Sequence, residues 1–348
     1  MTAKTRSLVT GGLGFVGRHL VNALADRGDE VTAADVRATP DMRWRDDVRL
    51  LQLDLRDADA VAAAVEGQDL VFHNASLVHT KHNRVRDVWD VNLGGTEHVL
   101  AACRAHGVKR LVYVSSASVV YEGRDIENGD EALPYSQVSQ APYADSKIAA
   151  EKLVLAATCP ALATVSLRPH VIFGPGDVRL LPTILERARA GKLKFQVGSG
   201  KHLSDFTYID NLVDALLTAG DRLTPDSPIA GQAYFITNGE PMGFWDFVKR
   251  VLAGLELPPI RGRVPYALAY SVAALAEAWD TLKGGTLHAE DGMSRFAIRY
   301  LCTHHYFSIE KAARDLDYAP AISIAEGIAR TVAAIKADPE AAKRYTMA

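Results

Sequence analysis

Tyr143 and Lys147 stand four residues apart in Tyr143-Ala-Asp-Ser-Lys147, a spacing that brings a phenol and an ammonium to one face of a helix. A phenol with a pKa of about 10 is a poor acid or base at neutral pH, and an adjacent cation favours its ionised form. The pair is therefore a candidate general acid–base for the proton of an alcohol, or of the ketone made from it. A hydroxyl donor would complete such a site, and Val114-Ser115-Ser116-Ala117-Ser118 supplies candidates. Ser116 is the choice, donating to the substrate oxygen as charge develops there, with Ser115 its competitor. Asn92 could kink its helix or hold a water for proton relay. Each of these has a plainer reading: a surface Tyr and Lys, a serine-rich loop, a solvent-facing asparagine.

A second constellation lies at the N-terminus. Thr10-Gly11-Gly12-Leu13-Gly14-Phe15-Val16-Gly17 follows a short apolar run and opens a helical one. Glycines there permit a tight turn and let backbone N–H groups approach a pyrophosphate, which the helix N-terminus favours further. Gly11, Gly14, Phe15, Val16 and Gly17 are the expected contacts. Asp35 falls eighteen residues beyond Gly17, where a carboxylate can accept from adenosine ribose hydroxyls and repel a 2′-phosphate. NAD is thus expected ahead of NADP, although Arg37 could soften the preference. Asp54 and Leu55 are expected beside the adenine, and Asn74, Ala75 and Ser76 along the cofactor's path. Lys147 and Tyr143 would meet the nicotinamide end.

These residues need a scaffold that brings successive strand ends to one edge. Short apolar runs at Ser7–Thr10, Glu30–Ala34, Val48–Leu53, Leu70–His73, Arg110–Val114 and Thr164–Leu167 alternate with helical stretches at Gly14–Asp26, Asp57–Val65, Val85–His106 and Tyr143–Thr158. That alternation predicts an α/β fold: a Rossmann doubly wound parallel sheet with helices on both faces. After Gly174 prolines and glycines punctuate the chain, predicting a smaller, mostly helical C-terminal substrate-binding part. The expected division is 1–174 for the dinucleotide, with returning segments near 203–238, and 175–202 with 239–348 as substrate-binding or lid region. Tyr234–Thr237 is the expected returning strand.

The bulk numbers restrict the function classes. The chain has 348 residues, a formal charge of −3 and 23% charged residues. No basic block suggests a nucleic-acid surface. Three cysteines, Cys103, Cys159 and Cys302, have neither metal-ligand nor disulfide-framework spacing, so no metal is expected and a reducing cytoplasm is. Val264–Leu282 approaches a membrane span in length, but Glu277 and Asp280 interrupt it; a buried or surface-lying helix with peripheral membrane contact is the expectation.

The arrangement resembles the extended short-chain dehydrogenase/reductase superfamily through TGGLGFVG, Asp54-Leu55, Asn74-Ala-Ser, Ser115-Ser116 and Tyr143-x-x-x-Lys147. Longer stretches narrow the resemblance: Ser115–Tyr135, LRPHVIFGPGD (Leu167–Asp177), Gly191–Asn211, ITNGEPMGFWDF (Ile236–Phe247) and CTHHYFSIEKAARDLDYAP. These are similar to the 3β-hydroxysteroid dehydrogenase family, and within it to the sterol-4α-carboxylate 3-dehydrogenases (decarboxylating). The resemblance covers nearly the whole chain. It implies oxidation of a sterol or steroid 3β-hydroxyl, with loss of a neighbouring carboxylate in the decarboxylating members. It also implies that Pro169 and His170 lie near the nicotinamide and that the enzyme is a homodimer. His79, Lys81 and His82 are candidates to meet a substrate carboxylate, against the reading of a solvated basic loop.

Three rivals stand beside this. A reductase of long-chain β-keto acids would favour NADPH, and Asp35 argues mildly against it. A nucleotide-sugar epimerase or dehydratase shares the Rossmann half, but Ala117 and Ser118 follow Ser116 where dehydratases usually carry acids. A non-catalytic dinucleotide sensor need not retain Tyr143 and Lys147.

Overall fold

The computed structural model describes residues 4–39, 42, 44–78, 84–282 and 294–339. Seven parallel strands form the main sheet: β1 (Arg6–Thr10), β2 (Glu30–Asp35), β3 (Val48–Gln52), β4 (Leu70–His73), β5 (Arg110–Val114), β6 (Ala163–Pro169) and β7 (Ala233–Ile236). Their order across the sheet is 7-6-5-4-1-2-3. Every neighbouring pair is parallel, as strands buried on both faces and joined by helical crossovers require. The direction of winding reverses between β1 and β4, so the loops after these strands part and leave the crevice in which such sheets bind ligands.

Both faces are packed. On one, Leu20, Val21 and Leu24 of the first helix (Phe15–Asp26) share a core with Leu212, Leu216 and Ala219 of helix Ile209–Arg222. That core continues without a break through Phe247 and Val251 to Ile328 and Val332 near the C-terminus. On the other, Val61, Val99, Cys103, Ala150 and Val154 close the sheet from three helices. The residues after Gly174 therefore share a core with the first helix of the chain.

The expected single helix over Val85–His106 is interrupted. Val85–Trp89 and Gly95–Ala105 are α-helical, and Asp90–Gly94 between them is a π turn containing Asn92. One extra residue in a turn re-aims a side chain inward, and such turns recur at functional sites.

The C-terminal part contains helices and a second, four-stranded sheet in the order Met242–Gly243, Leu203–Ser204, His305–Phe307, Ile126–Gly129. Strands of two to four residues carry too little periodicity to be read from sequence. Tyr266–Leu282 is a helix that buries Ala269 and Ala273 and exposes Leu268, Val272, Leu275, Trp279 and Leu282. Among the described residues no helix is long and apolar enough to cross a membrane.

Candidate active site

The glycine turn sits between β1 and the first helix. Gly11 has φ +66°, and a β-carbon there would lie 2.8 Å from the Cα of Ala75. A β-carbon on Gly17 would collide with the Gly11 carbonyl oxygen. Gly14 starts the helix with no side-chain cap and no acid in the first turn, which leaves its first N–H groups available to an anion. Asp35, 7% exposed at the end of β2, accepts from Leu13 N at 3.1 Å and from Arg37 N at 3.0 Å. The Arg37 side chain closes on the same carboxylate through Nε at 3.0 Å and Nη2 at 3.1 Å. This cradle of small residues, uncapped helix and strand-end acid fits a dinucleotide.

The loop after β4 is tied to that turn by a network whose protons can be assigned. Thr96 Oγ1 donates to Asn92 O at 2.6 Å, so it accepts from His73 Nε2 at 2.9 Å. His73 Nδ1 is then the acceptor of Thr10 Oγ1 at 2.9 Å. Burial holds His73 neutral, with a pKa pushed down to about 3. Thr10 Oγ1 in turn accepts from Asn74 N and Ala75 N, both at 3.1 Å, and Asn74 Nδ2 donates to Gly11 O at 3.3 Å. Asn92 holds the next stretch: Oδ1 accepts from Leu77 N at 2.7 Å, and Nδ2 donates to Leu77 O at 3.1 Å and to Ser146 Oγ at 2.9 Å. Its side chain is thus a clamp between loop and helix. Asp54 is engaged by Arg56, and Leu55 is buried against Gly95. His79, Lys81 and His82 lie outside the described residues.

Helix Pro142–Ala156 starts on a proline at its first position, where a missing N–H costs nothing. Tyr143 is half-buried in its first turn, with Ser116 and Ser76 near its hydroxyl. Ser116 also caps the short turn Ala117–Val120, accepting from Ser118 N at 3.2 Å and Ser118 Oγ at 2.9 Å. Desolvation raises the Tyr143 pKa; the Arg179 charge and the hydrogen bonds with Ser116 and Ser76 pull it back. Arg179 is thus a second cation, beside the expected Lys147, whose charge bears on this phenol. Lys147 is fully buried and donates to Val114 O at 2.7 Å and Tyr113 OH at 3.2 Å, and burial pushes its pKa down to about 7. A group so desolvated carries less charge with which to favour phenolate.

One turn further along, Glu151 pairs with Arg168 of β6. Arg168 Nη2 donates to Oε1 at 2.6 Å and Nε at 3.0 Å, while Ser166 Oγ donates to Oε2 at 2.7 Å. The Arg168 guanidinium also lies 5.3 Å from the ring centres of Tyr135 and of Phe235. Ser115 N donates to Leu167 O at 2.8 Å, which puts Ser115 and Ser116 beside the end of β6, whose last residue is Pro169 and after which His170 follows.

His170, just after β6, contacts the strand His305–Phe307 of the second sheet. His305 Nε2 donates to Tyr300 O at 2.8 Å, so His305 Nδ1 accepts from His170 Nε2 at 2.8 Å. Tyr300 OH stands 3.1 Å from the same His170 nitrogen. Burial depresses both imidazoles, His305 to about 4. His305, Tyr300, Arg179 and the Glu151–Arg168 pair were not singled out from sequence. The first two have no local signal, because their partners are remote. Arg179 had one: Asp177, two residues before it, is an acid placed ahead of a helical stretch.

Residues 8–263 match the model of the 3-beta hydroxysteroid dehydrogenase/isomerase family. The chain belongs to that family. It is accordingly an oxidoreductase of the CH–OH group. Its relatives include the 2-alkyl-3-oxoalkanoate reductase of Stenotrophomonas maltophilia (strain K279a), 42% identical over 326 residues, covering 93% of this chain and 97% of that one. The sterol-4-alpha-carboxylate 3-dehydrogenase, decarboxylating, of Mus musculus is 37% identical over 326 residues, covering 93% and 89%. Among solved structures, MoeE5 in complex with UDP-glucuronic acid and NAD superposes with a TM-score of 0.71 at 24% identity, over 95% of this chain and 99% of that one, and shares the fold.

Proposed function

We propose that the chain oxidises the 3β-hydroxyl of a sterol or steroid to the 3-ketone with NAD, and that a carboxylate on the adjacent ring carbon is then lost. The observation that carries this reading is the meeting of Tyr143 with Ser116 and Ser76 at the edge of the sheet that also presents the glycine cradle and Asp35. In it, 1–174 with the returning segment 203–238 hold the dinucleotide, while 175–202 and 239–348 cover an apolar substrate.

NAD, when bound, accepts a hydride from the carbinol carbon. Tyr143 takes the hydroxyl proton, and Ser116 donates to the same oxygen, so the carbonyl forms between two hydroxyl groups. Lys147, fixed from Val114 and Tyr113, supports the ribose side of the site. The ketone product with a β-carboxylate is a β-keto acid. Its C–C bond to the carboxylate breaks, the electron pair passes into the ring as an enolate, and Tyr143 and Ser116 sit where that oxygen needs donors. Proton return to the ring carbon completes the release of carbon dioxide.

A second reading draws on the 42% identity to a 2-alkyl-3-oxoalkanoate reductase. The same acid–base pair run backwards reduces a long-chain β-keto acid, and Arg37, now folded on Asp35, could turn to a 2′-phosphate of NADPH.

Absorbance at 340 nm with NAD or NADP separates the two. NAD reduction by a 4α-carboxy sterol or a 3β-hydroxysteroid, lost in Tyr143→Phe, is the expected result. Oxidation of NADPH by a β-keto acid, with silence toward both sterols, would replace it.

A further inference from the structure

Among the described residues Arg179 has no carboxylate partner, and its charge bears on the Tyr143 phenol. Asp177 is buried and spends its carboxylate on three backbone donors: Arg179 N at 2.7 Å, Leu180 N at 3.2 Å and Leu181 N at 3.0 Å. Those three bonds fix the backbone of residue 179, the N-cap of helix Leu180–Arg189. The side chain then reaches across to the loop after β4, where Nη1 donates to Val78 O at 3.1 Å. Val78 lies two residues beyond Ser76, which meets the Tyr143 hydroxyl. Among the described residues no acid forms an ion pair with Arg179, and its Nε and Nη2 make no hydrogen bond.

An anchored guanidinium with free donors, beside the acid–base phenol, has the geometry for a planar anion two bonds from the reacting carbon. Guanidinium is the side chain best matched to a carboxylate, which it can grip through two parallel N–H donors. We propose that Arg179 binds the carboxylate of a β-hydroxy or β-keto acid substrate and so sets the preference for such acids over their neutral counterparts. This rests on the proposed function only in its substrate class, since both readings offered there place a carboxylate β to the reacting oxygen. One consequence concerns decarboxylation. A guanidinium that holds the carboxylate also resists its departure, so carbon dioxide loss follows only once that grip is released or turned out of the ring plane.

The test is calorimetric binding to the NAD-loaded protein of two acid–ester pairs: a 4α-carboxy sterol with its methyl ester, and a long-chain 3-hydroxy acid with its methyl ester. The wild type is expected to bind the acid of one pair at least tenfold more tightly than its ester. Arg179→Gln should erase the difference while leaving ester binding unchanged, and Arg179→Lys should keep part of it. An acid preference that survives Arg179→Gln, or a wild type that binds neither acid or does not distinguish acid from ester, overturns the inference. Parallel absorbance assays keep the two ideas apart. An Arg179-dependent acid preference without Tyr143-dependent turnover would leave the carboxylate site and remove the proposed function. Equal turnover of acid and ester would do the reverse.

Discussion

Tyr143 in this protein starts from an unfavourable position, because burial lifts its pKa and only Arg179 and two serines lower it again. Alcohol oxidation needs its ionised form and ketone reduction its neutral one. The oxidation rate should therefore climb with pH across the neutral and alkaline range while reduction declines at the alkaline end, and Tyr143→Phe should lose about 10²–10⁴-fold in kcat in both directions. Initial rates between pH 6 and 10 check both statements. Lys147 makes a separate prediction about stability. Its pKa is about 7 in the folded, ligand-free chain and about 10.4 in an unfolded one. Between those values the unfolded state holds a proton that the native state lacks, so this residue's contribution to stability rises with pH, by at most ~1.4 kcal/mol per pH unit. Urea unfolding at pH 7, 8 and 9 should show that rise in the wild type and its loss in Lys147→Met. The Tyr143–Lys147 spacing was legible because a helix converts four residues into one face. The electrical environment was not, because Arg179 reaches Tyr143, and Arg168 reaches Glu151, through tertiary contacts.

At the scale of elements, the site depends on two clamps. Asn92 joins the post-β4 loop to helix Pro142–Ala156 by three hydrogen bonds. Removing a buried partner from such a set leaves orphaned groups, so Asn92→Ala should cost about 2–4 kcal/mol and lower kcat by moving Ser76. Thermal melts and NAD titration together separate the two effects. Glu151 and Arg168 join the same helix to β6 with almost no solvent contact. Glu151→Ala strands a buried guanidinium and should destabilise by about 3–5 kcal/mol, measurable by denaturant unfolding. The main-sheet strands were readable because a strand covered on both faces is a continuous apolar run between turn residues. The kink at Asn92 was half-readable: an asparagine in a helix suggests a disturbance, but the π turn depends on partners at Leu77 and Ser146. The second sheet offered nothing to read, since its strands draw on residues as distant as Ile126 and His305.

At the scale of the molecule, the dinucleotide half is not a separable unit. β7 pairs with β6 from sequence positions beyond 230, and helix Ile209–Arg222 covers the first helix. A chain ending at Gly174 should lack a cooperative unfolding transition, whereas the full chain should melt as one unit by circular dichroism. Both elements fall within the returning stretch near 203–238 that the proposed division assigns to the dinucleotide part.

The His170–His305 contact also has a meaning in time. The two residues are separated by 135 positions, and ribosomes add about 5–20 residues per second. An emerging chain therefore spends roughly 7–27 s with at least six of its seven main-sheet strands synthesised and the strand that meets His170 not yet made. Throughout that interval the nascent protein has Tyr143 and the glycine turn but lacks the strand His305–Phe307. The contact forms late, because His305 follows His170 by 135 residues of synthesis.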